Sequence, residues 1–157
     1  MALWNWLQKK DLLPAGPNAA SRTERPRIEP SDPQIIGPAK LEPVLRALEK
    51  DRPEMVGFVV LGAFAGIREA ERRRLTWNDI DWDLGTISLS SSITKTRRRR
   101  VVTLPENAMA WLREYRRLGG ICPCARPEAV VSRTLRSLGI AWPHNALRHS
   151  FVTYHYL

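Results

Sequence analysis

Ala65-Gly66-Ile67-Arg68-Glu69-Ala70-Glu71-Arg72-Arg73-Arg74-Leu75-Thr76-Trp77-Asn78-Asp79-Ile80-Asp81 decides how this 157-residue chain is read. An arginine follows closely on a glycine at the end of an apolar run. A glutamate comes three residues later, and a Leu-x-Trp anchor with an acidic turn closes the stretch. Glycine lets backbone approach a ligand closely. The guanidinium of Arg68 stays charged and forks onto oxyanions. Glu71, one helical turn on, is spaced to hold that fork. Two readings fit these residues alone: an anion-binding arginine with a supporting carboxylate, or a structural Arg–Glu pair beside a core tryptophan.

Working outward, Pro53 starts a helix from Glu54 to about Gly66 that is apolar nearly all round, which predicts the buried centre of the domain. Before it, Gly37-Pro38 opens a helix with Leu41, Val44, Leu45 and Leu48 on one stripe. After it, Arg68 to Leu75 continues as a third helical piece, with Arg72, Arg73 and Arg74 on its solvent face. Asp81-Trp82-Asp83-Leu84-Gly85 is turn chemistry. Thr86 to Ser90 alternates as a strand, a second strand begins at Ile93-Thr94-Lys95-Thr96, and Arg100 to Leu104 leads back as a third. Arg97 to Arg100 form the connecting tip. Helices follow from Pro105 to about Leu118, from about Glu128 to Leu138, and from His144 onward, with Gly119-Gly120 and Gly139 as stops. The fold class is α+β, mainly α-helical, with a small three-stranded antiparallel sheet.

Composition limits the function. The formal net charge is +9 and the pI about 10.4, which points to a polyanionic partner. Double-stranded DNA is the first candidate and a membrane surface the second. Arg97, Arg98, Arg99 and Arg100 at the hairpin tip, with Arg72 and Arg73, are the expected DNA contacts. The longest apolar run, Met55 to Ile67, is short of the roughly 20 residues that span a bilayer. The N-terminal charges follow the apolar residues, the reverse of a signal peptide, so a cytoplasmic location is expected. Cys122 and Cys124 are too few for a closed zinc site. No cofactor, metal or small-molecule substrate is expected.

Within residues 1–13, residues 2 to 10 read as a short helix with Leu3, Trp4 and Leu7 on one face, too short to stand alone. Residues 14–37 are proline-rich and read as a linker, basic through Arg22, Arg25 and Arg27. Residues 38–157 hold the globular domain.

Three elements stand out in this order: Arg68, Lys95 beside the arginine-rich tip, and Arg148-His149. With the Leu-x-Trp-x-Asp-Ile-Asp tail, the Lys95-Thr-x-x-Arg-Arg-x-Val-x-Leu hairpin and Asn145-Ala-Leu-Arg148-His-Ser-Phe-Val-Thr153, residues 35 to 157 resemble the catalytic domain of the tyrosine recombinases, the phage integrase family. The resemblance implies DNA recombination and integration without a metal. A tyrosine attacks the scissile phosphodiester and forms a 3′-phosphotyrosine. Arg68 and Arg148 match the arginines that hold the non-bridging oxygens, Lys95 the general acid for the departing 5′-oxygen, and Glu71 and His149 supporting positions.

The chain departs from that pattern in three places. Asn145 stands where the family usually has histidine, and it can donate to a phosphate oxygen but cannot shuttle a proton. His144 sits one residue earlier, about 100° away on a helix. The family's nucleophilic tyrosine lies beyond the nine residues that follow Arg148 here, and Tyr154 and Tyr156 read as packing or helix-end residues. Residues 1–13 resemble at most the last helix of the family's DNA core-binding domain. The expectation is a C-terminally truncated catalytic domain that binds DNA, alone or with other recombinase protomers, and does not cleave it by itself. The alternative is a non-catalytic DNA-binding regulator derived from a recombinase.

Overall fold

The computed structural model describes residues 2–13, 16–17, 32, 34–94, 98–143 and 145–155. The chain divides into two compact units, Met1–Asp32 and Pro33–Leu157. In the first, helix α1 (Ala2–Lys9) ends where Asp11 turns left-handed at φ 54° and the Leu12 N–H bonds the Leu7 carbonyl. Asp tolerates that conformation because its short polar side chain bonds locally.

The second unit carries α2 (Pro38–Asp51), α3 (Val56–Ala65), α4 (Glu69–Arg72), strands β1 (Ile80–Asp81), β2 (Thr86–Leu89) and β3 (Arg100–Thr103), and helices α5 (Glu106–Tyr115), α6 (Pro127–Ser137) and α7 (Ala146–His155). Short 3₁₀ turns at Pro53–Met55, Trp77–Asp79 and Arg116–Leu118 join or extend them. As its composition predicts, α3 is the central rod, with Val56, Phe58, Val59, Val60 and Leu61 buried. Each such side chain contributes about 1.5–3 kcal/mol by leaving water. Helices α5 and α7 pack on α3, and α2 packs on α6. Two glycines of α3 let neighbours close in. A Cβ at Gly57 would come within 2.8 Å of the Trp77 ring, and one at Gly62 within 2.7 Å of Leu147 and of the Arg72 guanidinium. That contact with Trp77 is how the Leu-x-Trp anchor reaches the core.

The sheet has three antiparallel strands in the order β1-β2-β3. Its membership differs from the sequence reading. The first strand is Ile80–Asp81, too short to show alternation, whereas Ile93 and Thr94 lie in a turn, so no strand begins there. The Asp81 carboxylate accepts from the N–H groups of Asp83 and Leu84 at 3.1 and 2.9 Å, closing the expected turn. Register places Leu89 opposite Arg100 and Ile87 opposite Val102. Both Ile87 and Leu89 are fully buried, so Arg100 begins β3 on the side of the sheet that faces the core.

Helix α7 is seated by three contacts. Leu147 lies against Gly62, Phe151 covers Gly66, and the Ser150 hydroxyl accepts the Ile36 N–H at 2.7 Å while donating to the Ala146 carbonyl. The segment just before α2 is thereby fixed to the last helix, and Ile36 is buried.

Candidate phosphate-binding site

The site is built where α3 ends. Gly66 takes a left-handed conformation, φ 58°, and the Ile67 N–H reaches back to the Leu61 carbonyl. This is the 6→1 closure of a helix C-terminus, which glycine makes without strain. Ile67 turns into the core, and Arg68 is then extended at φ −62°, ψ 147° as the residue that caps α4. Glu71, three residues on, accepts the Arg68 backbone N–H at 3.2 Å, the reach-back half of a capping box. Its other oxygen accepts from the Arg68 guanidinium, also at 3.2 Å. One carboxylate thus fixes both the backbone and the side chain of Arg68.

Glu71 is only 1% exposed, and a second guanidinium serves it: Arg100 donates at 2.7 Å. From the other side, Arg148 on α7 donates to the Gly66 carbonyl, two residues before Arg68. Burial pushes the Arg148 guanidinium below its ordinary pKa, and the positive charges of Arg68 and then Arg100 push it further, with Glu71 opposing. The three arginines and the glutamate therefore share one electrostatic neighbourhood. Its net charge is positive, and such a site invites an anion.

Of the residues singled out by sequence, Arg68, Glu71 and Arg148 come together. Asn145 stands one residue before α7 at φ 58°, exposed, and its carbonyl accepts the His149 N–H at 3.0 Å. Asn145 and Arg148 line a cavity of about 310 Å³ with Arg72, Glu69, Glu128 and Trp142; Arg68 and Arg100 are not among its lining residues. His149 is half-buried on α7. Lys95, Arg97, His144 and Tyr156 lie outside the described residues. The segment that holds Lys95 is pinned at its ends. Arg74 donates to the Ser92 carbonyl at 3.1 Å, and Thr94 donates to the Arg98 carbonyl at 2.9 Å.

Two assignments of the arginines change. Arg72 is not on the solvent face: it is 6% exposed, donates to the Phe58 carbonyl at 2.6 Å and lies over the Phe58 ring at 4.1 Å. Burial lowers its pKa to about 10, still charged at neutral pH. It is therefore no DNA contact. Arg73 is exposed but engaged by Glu69 at 2.9 Å, Glu128 at 2.5 Å and the Ala125 carbonyl at 3.0 Å, so it braces α4 against the start of α6. Arg98 and Arg99 are exposed, as a DNA-facing tip requires, whereas Arg100 turns inward. The inward turn had a signal in the sequence. Arg100, Val102 and Leu104 share one face by strand alternation, and Leu104 is a core residue.

The reassignment of Arg72 has a measurable consequence. Among the described residues Arg72 makes no ion pair, though Glu69 and Glu128 lie near it, and such a buried cation contributes little that a hydrophobe of similar length cannot. Arg72→Met is expected to leave DNA affinity within about twofold of the parent and to hold stability to within about 1 kcal/mol, measured by fluorescence anisotropy and urea unfolding. A tenfold loss of DNA affinity would return Arg72 to the binding surface.

Residues 41–121, just over half of the chain, match the phage integrase family, and the chain belongs to it. The fold is that of tyrosine recombinase catalytic domains. A tyrosine recombinase XerC from Xanthomonas axonopodis pv. citri (strain 306) is 30% identical over 120 residues, which cover 73% of this chain and 37% of that protein. The crystal structure of XerA recombinase superimposes with a TM-score of 0.66 at 21% identity, over 84% of this chain and 53% of that one. The Tn1549 transposon integrase, solved with a circular intermediate DNA, gives 0.61 at 16% identity, over 98% of this chain and 62% of that one. The chain thus spans between about a third and two thirds of the length of these relatives. Among the described residues, no helix is long and apolar enough to cross a membrane.

Proposed function

We propose that this chain is the phosphate-holding part of a tyrosine recombinase acting in DNA recombination and integration, with double-stranded DNA as its partner. The observation that carries this reading is the convergence of Arg68 and Arg148 on either side of Gly66, steadied by Glu71. Two fixed guanidiniums hold the non-bridging oxygens of a phosphodiester and offset the charge that builds as phosphorus becomes five-coordinate. No reorganisation is needed at that moment, because Glu71 and the Gly66 carbonyl already orient them. Lys95, between the pinned ends of its segment, is the proton donor for the departing 5′-oxygen, and Asn145 stabilises without transferring a proton. His149 supports Arg148 from the same helix. Arg98 and Arg99, with Arg97, follow the flanking backbone.

The attacking phenol is not among the described tyrosines. Tyr115 donates to Glu49, and its burial and that bond hold its pKa well above the ordinary value, the opposite of an activated nucleophile. Tyr154 is exposed, and its hydroxyl lies beside Gly37, at the start of α2. In this reading the attacking tyrosine comes from outside the described residues or from another protomer, and the described part binds DNA without cutting it.

Duplex binding across a salt series tests the first half of this reading. Displacing condensed counterions gives a log–log slope of about −0.9 per phosphate contact, so a slope of about −3 or steeper is expected, made shallower by Arg68→Gln and Arg148→Gln. A salt-independent affinity would contradict DNA as partner. A suicide duplex tests the second half: no covalent adduct is expected, and an adduct that survives denaturation would overturn the account of the tyrosines.

A further inference from the structure

The bond from Arg100 to Glu71 is one that the phosphate-holding pair does not by itself require. Glu71 offers two oxygens. One takes the Arg68 guanidinium, and the other takes Arg100 as well as the Arg68 backbone N–H. The Nε–H of Arg100 is buried and has no hydrogen-bond partner among the described residues. The buried Arg72 leaves its Nε–H unmet as well, so what sets Arg100 apart is the group of like charges it stands in. Three guanidiniums around a single carboxylate leave two positive charges uncompensated. That excess opposes folding unless an anion is to be received. Through Glu71, Arg100 also links the start of β3 to Arg68.

We propose that Arg100 is a positioning residue of the phosphate site. By sharing Glu71 it keeps that carboxylate from neutralising Arg68, and it ties the start of β3 to the site that holds the phosphate. This inference rests on the phosphate-holding reading given above. Without Arg100, Glu71 and Arg68 become a self-contained neutral pair. One positive charge then remains, on Arg148, and β3 loses its link to the site.

The test uses dimethyl phosphate, a phosphodiester monoanion, titrated into the 157-residue protein while the side-chain Nε–H signals of Arg68 and Arg148 are followed by NMR. At low salt, Arg100→Gln is expected to weaken binding by about tenfold, the order of one unit charge removed about 10 Å away at an effective dielectric of about 20. Arg100→Lys recovers most of that loss. Glu71→Gln/Arg100→Gln restores the net charge of the site and returns the affinity to within about threefold of the parent, which a merely structural role would not do. Arg117→Gln, an exposed arginine after α5 with no place in the site, leaves it unchanged. The proposal is overturned if Arg100→Gln binds as the parent does. It is equally overturned if Arg100→Gln and the double variant, both folded by circular dichroism, are equally weak. If the parent fails to bind, or if Arg68→Gln and Arg148→Gln bind normally, the phosphate-holding reading itself has failed.

Discussion

Glu71→Ala is expected to destabilise the folded chain by about 3–5 kcal/mol, the range for breaking a buried ion pair from one side. The carboxylate is 1% exposed, and it satisfies the Arg68 backbone N–H and two guanidiniums. Removing it leaves three arginines facing one another with no counter-charge, and it frees the residue that starts α4. Against a total stability of about 5–15 kcal/mol for a domain of this size, such a loss leaves a large unfolded fraction at 37 °C. Glu71→Gln keeps the shape and part of the hydrogen bonding. It is expected to cost about half as much, in line with the greater strength of charge-assisted bonds. Urea unfolding of the three proteins measures both. Equal stability of parent and Glu71→Ala would mean that the carboxylate is not the centre of the cluster.

The second large effect is expected at Gly66. Three demands meet on this residue. Its φ of 58° ends α3, its carbonyl receives Arg148, and the ring of Phe151 occupies the place where a Cβ would stand. Gly66→Ala adds left-handed strain of about 1–2 kcal/mol and overpacking of about 1–3 kcal/mol. A combined loss of about 2–5 kcal/mol follows. Pairing it with Phe151→Ala separates the two parts. The clash disappears, while the backbone strain stays and a cavity penalty is added. Non-additivity in this cycle, read from unfolding midpoints, is the expected signature of direct contact. Strict additivity would show that Phe151 does not pack on Gly66.

Much of this was legible in the sequence, and the exceptions have physical reasons. The all-apolar composition of α3 left it no face for solvent, so its central position followed. The spacing of Arg68 and Glu71 placed both on one turn, and the turn became a capping box because Arg68 is extended rather than helical. Arg72 was illegible because α4 is only four residues long. Within a run of three arginines, periodicity over one turn cannot say which side chain enters the core. The deciding feature, the gap left by Gly62 on α3, is ten residues away in sequence but adjacent in space. The first strand was read as part of a turn because two residues carry no alternation. Arg100 was hidden in a run of four arginines, and only the register with Leu89 separates it from its exposed neighbours.

Asn145 shows how a departure from the family pattern acquires a structural context. Its φ of 58° is one that few side chains adopt, and asparagine is among those that do. The residue fits the entry to α7 whether or not it touches phosphate. At this position the backbone and the chemistry make separate demands.

The central claim is that Arg68 and Arg148 grip the same tetrahedral anion. Diffraction from crystals grown with tungstate, a tetrahedral oxyanion whose metal scatters anomalously, tests this most directly. The account predicts an anomalous peak within hydrogen-bonding reach of both guanidiniums, lost in Arg148→Gln. Peaks at Arg98 and Arg99 with none between Arg68 and Arg148 would contradict it.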